Sequence, residues 1–228
     1  MCAKKRIALY GGTFDPVHLG HLEVAHRVTE LFEIDRVLFI PAQIAPHKLS
    51  RAVTAPIHRY AMLVLATQSE PRLLVSTFEL DAPDRRYTVD TVAHFQSTFD
   101  DSTELFFIMG ADSWSEITTW RDWERLLAMT NHIVVARPGY DIAGVETSSL
   151  LRDRIIDLRK LGNDAHRILR QVSGERVFIT DVVMNDISAT EIRRLAKEDR
   201  FEDLNTLVPQ PVAEYITKYR IYRDSHEA

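Results

Sequence analysis

Six short apolar runs constrain this chain more than any other feature: Ile7 to Tyr10, Val37 to Ile40, Leu73 to Ser76, Leu105 to Met109, Ile133 to Ala136 and Val177 to Thr180. Each run is continuous rather than alternating. A strand covered on both faces needs that pattern, because neither face meets water. Between the runs lie segments with helical spacing: Leu19 to Leu31, Ile57 to Thr67, Thr88 to Phe95 and Trp123 to Met129. Strands alternating with crossover-length helices predict an open, mainly parallel α/β sheet of about six strands with helices on both faces. In such sheets ligands bind beyond the carboxyl ends of the strands, so reactive residues are sought there.

A chain of 228 residues suits one domain, and residues 1–228 are read as a single unit. Arg137-Pro138-Gly139-Tyr140 reads as a turn. Asp141 to Ser173 is polar and charged, with helical patches around Leu150 to Leu161, and is read as an insertion or mobile region. The tail from Phe201 to Tyr222 reads as a terminal helix interrupted by Pro209 and Pro211, so residues 188–222 are expected to pack helices on the sheet.

Hydrophobic residues make up 45% and charged residues 27%, which excludes a disordered chain. A formal net charge of −5 and a pI near 6.0 disfavour a broad grip on nucleic acid, and no basic aromatic strip is present. Cys2, the single cysteine, can form neither an internal disulfide nor a zinc ribbon. The run after Lys4-Lys5-Arg6 stops at two glycines, too soon for a signal peptide, and no stretch approaches the roughly 18 apolar residues of a membrane span. These observations predict a cytoplasmic protein with small ligands, without nucleic-acid or membrane partners; a homo-oligomer is left open.

The first strand runs directly into Gly11-Gly12-Thr13-Phe14-Asp15-Pro16-Val17-His18-Leu19-Gly20-His21. Two glycines let the backbone turn sharply and approach a ligand, and the following helix start offers unpaired N–H groups and a positive dipole end. His18 and His21, three apart, would share one face of the first turn and could both donate to phosphate oxygens. The bland alternative is an ordinary βα turn with surface histidines. A zinc site is a further alternative, but no third ligand stands nearby and there is no His-Glu-x-x-His. Neither G-x-x-x-x-G-K-[ST] nor G-x-G-x-x-G occurs, which removes the main support for kinase and dehydrogenase readings.

Asp186-Ile187-Ser188-Ala189-Thr190-Glu191-Ile192-Arg193 follows the last run. Ser188 with Glu191 forms the S-x-x-E pattern of a capping box, so a helix is expected to begin there. Thr190 and Arg193 fall in its first turns, and the arginine can fork onto a phosphate. Two helix N-termini could then grip one triphosphate from both sides.

Residues 11–21 resemble the nucleotidyltransferase signature G-x-F-D-P-x-H-x-G-H, and Ile187-Ser188-Ala189-Thr190-Glu191-Ile192-Arg193 resembles its I-S-[SA]-T-x-[IV]-R partner. Both occur in the family's order, near the two ends of the chain. The resemblance implies a Rossmann-like sheet, ATP and Mg²⁺, and pyrophosphate as product. Ala45-Pro46-His47-Lys48, Arg86-Tyr87-Thr88-Val89-Asp90-Thr91, Gly110-Ala111-Asp112, Trp120 and Arg137-Pro138-Gly139 resemble the nicotinate mononucleotide adenylyltransferase branch of that superfamily.

The resemblance implies transfer of AMP from ATP to nicotinate mononucleotide. Catalytic roles fall to His18, His21, Lys48 and Arg193, and ATP contacts to Gly11, Gly12, Thr13, Phe14, His18, His21, Gly110, Asp112, Ile187, Ser188, Thr190 and Arg193. Lys48, Tyr87, Thr88, Trp120 and Arg137 would meet the acceptor, with no protein-held metal. Asp112 could instead cap a helix, and Lys48 has a bland reading as a loop lysine. Trp114 and Trp123 are read as packing residues. His47, His58 and His132 receive no role and are read as surface or half-buried. The family commonly has Ser where Arg86 stands; the arginine could attract a carboxylate or point into water. Two rival functions stay open: an enzyme preferring nicotinamide mononucleotide, and a nucleotide-binding regulator without turnover.

Overall fold

The computed structural model describes residues 4–43, 53–81, 87–136, 153–161, 165–172, 174–181 and 187–223. Its strands are β1 (Lys5–Gly12), β2 (Arg36–Pro41), β3 (Leu73–Val75), β4 (Thr103–Gly110), β5 (Asn131–Val135), β6 (Ile155–Asp157) and β7 (Val177–Thr180). They form one sheet in the order β3-β2-β1-β4-β5-β7-β6, and every pairing is parallel. The helices are α1 (Leu19–Leu31), α2 (Pro56–Thr67), α3 (Thr88–Thr98), α4 (Ala111–Ser115), α5 (Trp123–Met129), α6 (Ala165–Gln171), α7 (Ala189–Lys197), α8 (Phe201–Leu204) and α9 (Gln210–Lys218).

The continuous apolar runs are resolved by the pleat into two faces. Ala8, Phe39, Phe106, Ile108, Ile133 and Phe178 enter one core with Val24 and Val28 of α1, Met62 and Leu63 of α2, and Ile192, Val212 and Ile216 of the C-terminal helices. Their sequence neighbours Leu9, Ile40, Phe107, Met109, Val134 and Ile179 enter a second core with Val92 of α3, Trp114 of α4 and Leu126 of α5. Trp114 is fully buried and Trp123 packs at the edge of this second core, as packing residues.

Three expectations change. The sheet has seven strands, because Ile155–Asp157, inside the stretch read as helical around Leu150 to Leu161, pairs with β7 in register Ile155↔Val177. A three-residue edge strand carries too few apolar positions to show a period. The tail is two helices rather than one: Pro209 is the N-cap residue of α9 and Pro211 lies in its first turn, where a missing N–H costs nothing, so the chain restarts a helix there. His132 is neither on the surface nor half-buried but fully buried in β5, and burial lowers its pKa to about 3. The turn at 137–140 lies outside the described residues.

Strand order reverses between β1 and β4, which are direct neighbours (Tyr10↔Ile108). In open sheets of this kind ligands bind beyond such a switch point, at the carboxyl ends of the strands. Gly11-Gly12 ends β1 and Gly110 ends β4, so both open on that edge.

Candidate active site

The glycines that end β1 are required from inside the protein. A Cβ at Gly12 would lie 2.8 Å from Cζ of Phe14, and one at Gly11 would lie 3.1 Å from the Phe107 ring. Phe14 itself has φ of 50° and is buried, and the Asp15-Pro16 peptide is cis. The Gly12 carbonyl accepts from Ala42 N–H at 2.9 Å, while the amides of Thr13 and Phe14 make no main-chain hydrogen bond among the described residues. Amides of this kind require a polar partner.

His18 is the N-cap residue of α1, with extended φ and ψ. Its N–H donates to Nδ1 of His21 at 3.2 Å, and the two rings stack with centroids 3.7 Å apart. Because Nδ1 of His21 accepts, the proton of a neutral ring at this position sits on Nε2. The pair therefore builds the helix start. A Cβ at Gly20 would lie 3.1 Å from Nδ1 of His18 and 3.6 Å from Cβ of Ile187, so the third residue of this turn must be small.

The second motif meets the first here. Ser188 is the N-cap residue of α7 and accepts from Thr190 N–H at 3.3 Å. The expected box forms by half, since Glu191 pairs with Arg194 at 2.7 Å. Arg193 donates through Nη1 to the Asp15 carbonyl at 2.6 Å and through Nη2 to Oγ1 of Thr190 at 2.8 Å. Together with the Gly20–Ile187 approach, this places the two helix N-termini side by side.

Across the switch point, a Cβ at Gly110 would meet nothing within 4 Å, so open space lies beside it. Gly110 is the N-cap residue of α4, and the Asp112 carboxylate makes no hydrogen bond among the described residues, so helix capping does not account for it. Tyr87 and Thr88 form the start of α3, where Asp90 accepts from Tyr87 N–H at 3.3 Å. Tyr87 and Trp120 both pack at the rim of the second core, and the Arg121 guanidinium lies 4.7 Å from the centroid of the Tyr87 ring. Lys48, Arg137, Arg86 and His47 fall outside the described residues. His58 bonds the Tyr215 hydroxyl through Nδ1 at 2.8 Å, on the α2–α9 side of the fold.

Beneath the loop lies a polar group that the sequence reading missed. Asp15 is buried; its Oδ1 accepts from the Tyr222 hydroxyl at 2.9 Å and its Oδ2 from Thr54 N–H at 3.5 Å. Burial, then the nearby Asp15 charge, push the Tyr222 phenol well above its ordinary range. Arg59, 1% exposed, has its pKa lowered by burial and partly restored, first of all by the Asp15 charge. One signal was available. Arg59 shares the core stripe of α2 with Met62, Leu63 and Ala66, and a charge at core spacing calls for a partner. Gly20 stood inside a quoted motif without a role.

Among the described residues no cluster of three His, Cys, Asp or Glu side chains is placed to hold a metal ion. None of the described helices is long and apolar enough to cross a membrane.

The model of the cytidylyltransferase-like family matches residues 9–195. A relative from Thermoanaerobacter sp. (strain X514), named "Probable nicotinate-nucleotide adenylyltransferase", is 36% identical over 222 residues, covering 97% of this chain and 96% of its own. A Corynebacterium glutamicum relative of the same name is 34% identical over 220 residues, covering 96% and 89%. Among solved structures, Plasmodium falciparum nicotinic acid mononucleotide adenylyltransferase complexed with NaAD superposes with a TM-score of 0.70 at 17% identity, over 96% of this chain and 97% of that one. At that identity the superposition speaks for the fold.

Proposed function

Since the chain belongs to the cytidylyltransferase-like family, in its nicotinate-nucleotide adenylyltransferase branch, we propose that it transfers AMP from ATP to nicotinate mononucleotide, forming nicotinate adenine dinucleotide and pyrophosphate in NAD biosynthesis. The observation that carries the reading is the bond from Arg193 to the Asp15 carbonyl, which joins two motifs 178 positions apart into one anion-facing edge.

A 5′-phosphate oxygen of the mononucleotide attacks the α-phosphorus of ATP. The new bond forms there as the bond to the bridging oxygen breaks, and pyrophosphate leaves. The attacking oxygen is already anionic, so no protein nucleophile is needed, and positioning and charge neutralisation supply the catalysis. His18 and His21 donate to the α- and β-phosphates. Ile187, Ser188, Thr190 and Arg193 hold the distal end, and Gly11, Gly12, Thr13 and Phe14 bring main-chain N–H groups to the nucleotide. Gly110 lies against adenine and Asp112 holds a ribose hydroxyl. Lys48 contributes a further cation. Mg²⁺ bound with ATP would supply charge neutralisation on the phosphates, since such an ion takes oxygen ligands including those of substrate phosphates.

For the acceptor, Trp120 stacks on the pyridine ring, the main chain of Tyr87 and Thr88 meets the carboxylate at the positive end of α3, and Arg137 adds a cation. Pyrophosphate release is measured with ATP and Mg²⁺, offering nicotinate and nicotinamide mononucleotides in parallel. Preference for the acid is expected. Preference for the amide would reassign the acceptor, and no release with either would favour a nucleotide-binding regulator. Trp120→Ala is expected to raise the acceptor KM while leaving that for ATP nearly unchanged.

A further inference from the structure

Arg59 stands where a cation has little reason to be. It lies in the first turn of α2, at the positive end of the helix dipole, and is almost wholly buried. Among the described residues its hydrogen bonds all go to main-chain carbonyls. Nε donates to Thr54 at 2.9 Å, Nη1 to Thr13 at 2.8 Å, and Nη2 to Ala42 at 2.7 Å and Gln43 at 3.4 Å. A methionine would fill the same volume without desolvating a charge. What only a guanidinium supplies is a rigid planar fork of five donors that can satisfy several fixed acceptors at once.

Those acceptors belong to two connections: the β1–α1 loop at Thr13, and both ends of the β2–α2 connection, at Ala42 and Gln43 after β2 and at Thr54 two residues before α2. The peptide plane then transmits the constraint. Across a trans peptide the N–H of a residue points opposite to the preceding carbonyl. With the Thr13 carbonyl turned inward onto Nη1, the Phe14 N–H is turned away from Arg59, and with the Gly12 carbonyl turned onto Ala42, the Thr13 N–H is turned likewise. Neither amide makes a main-chain hydrogen bond among the described residues.

We propose that Arg59 is a positioning residue for the nucleotide: it fixes the Thr13–Phe14 peptide plane so that the Phe14 amide faces the phosphates, and it locks that loop to both ends of the β2–α2 connection. The assignment rests on the adenylyl-transfer reading. Lysine, whose three donors radiate from one compact ammonium, cannot reproduce the planar fork that spans these acceptors.

Arg59→Lys and Arg59→Met are compared with Leu126→Ala, a core truncation in the opposite cluster that lowers Tm without touching this site. At a temperature well below every Tm, both Arg59 variants are expected to lose roughly 10- to 100-fold in kcat, with the acceptor KM little changed, while Leu126→Ala keeps its kcat. Amide hydrogen exchange in folded Arg59→Lys is expected to be faster at residues 12–17 and 53–55 and unchanged in β4 and β5.

Wild-type kcat in Arg59→Lys, an equal loss in Leu126→Ala, or unchanged exchange at those loops would overturn the assignment. Failure of both Arg59 variants to fold would make the residue structural and do the same. If the wild-type protein releases no pyrophosphate with either acceptor, the adenylyl-transfer reading falls, and the exchange comparison decides the role of Arg59 alone.

Discussion

The Tyr222 hydroxyl donates to Oδ1 of Asp15 at 2.9 Å, across 207 positions of sequence, and so ties the end of the C-terminal helical region to the loop that precedes His18. Tyr222 holds φ of 74°, a conformation bulky residues avoid, and this buried bond helps hold it there. Tyr222→Phe leaves the ring and removes the donor. We expect a loss of about 1–3 kcal/mol in urea unfolding and a lower kcat. The sign with pH follows from a folded pKa raised above the unfolded value. Above about pH 10 the unfolded chain releases this proton first, so stability declines as pH rises, and the decline should be shallower in Tyr222→Phe.

Gly20 tests whether the histidine pair must be placed closely. An alanine Cβ would press on the His18 ring at 3.1 Å. The ring would have to move by a few tenths of an ångström or more, at a site where about 1 Å of misplacement can cost roughly 10²-fold in rate. Gly20→Ala should therefore lose most of its kcat with a small change in Tm. Steady-state rates beside thermal unfolding decide it, and an unimpaired kcat would show that the ring position is uncritical.

On the proposed function His21 would perform two jobs through two nitrogens. Nδ1 accepts the His18 N–H in the helix start, and Nε2 would donate to a phosphate. In His21→Asn the amide oxygen can replace Nδ1, but nothing replaces Nε2; in His21→Gln the amide nitrogen can extend toward the Nε2 position. Asn should keep wild-type stability and lose about 10²- to 10³-fold in kcat. Gln should be less stable by about 1 kcal/mol and retain more activity. The reverse order would separate the ring from phosphate contact.

His132 predicts acid sensitivity. Its folded pKa of about 3 lies below an unfolded value of about 6.5, so between these limits the unfolded state holds a proton that the folded state excludes. This contribution is fully present above pH 6.5 and is lost as pH falls toward 3, by about 1.4 kcal/mol per pH unit. Both ring nitrogens are buried and, among the described residues, neither makes a hydrogen bond of normal geometry, although the nearby Thr130 main chain offsets part of the effect of burial. His132→Leu should be more stable at pH 5 and show a flatter profile in denaturant midpoints between pH 7 and 4.

Six of the seven strands, the helices α1, α2, α3 and α5, the start of α7 and the two sequence motifs were legible in the sequence because each depends on local chemistry. Continuous apolar runs report burial on both faces, and Ser188 reports a helix start within its own turn. β6 was not legible, since three residues at a sheet edge carry no period, and neither was the burial of His132, which precedes the apolar run Ile133 to Ala136 and joins the strand only in the fold.

Tertiary structure alone decided what lies under the active edge. Arg59, Asp15 and Tyr222 are far apart in sequence, and nothing local to any of them says that a guanidinium from α2 will hold the Thr13 carbonyl or that a phenol from the tail will meet Asp15. Patterns within a turn or a strand are fixed by backbone geometry that repeats along the chain. Contacts between connections are fixed by where the sheet delivers their ends, and that is known only once all seven strands are in register.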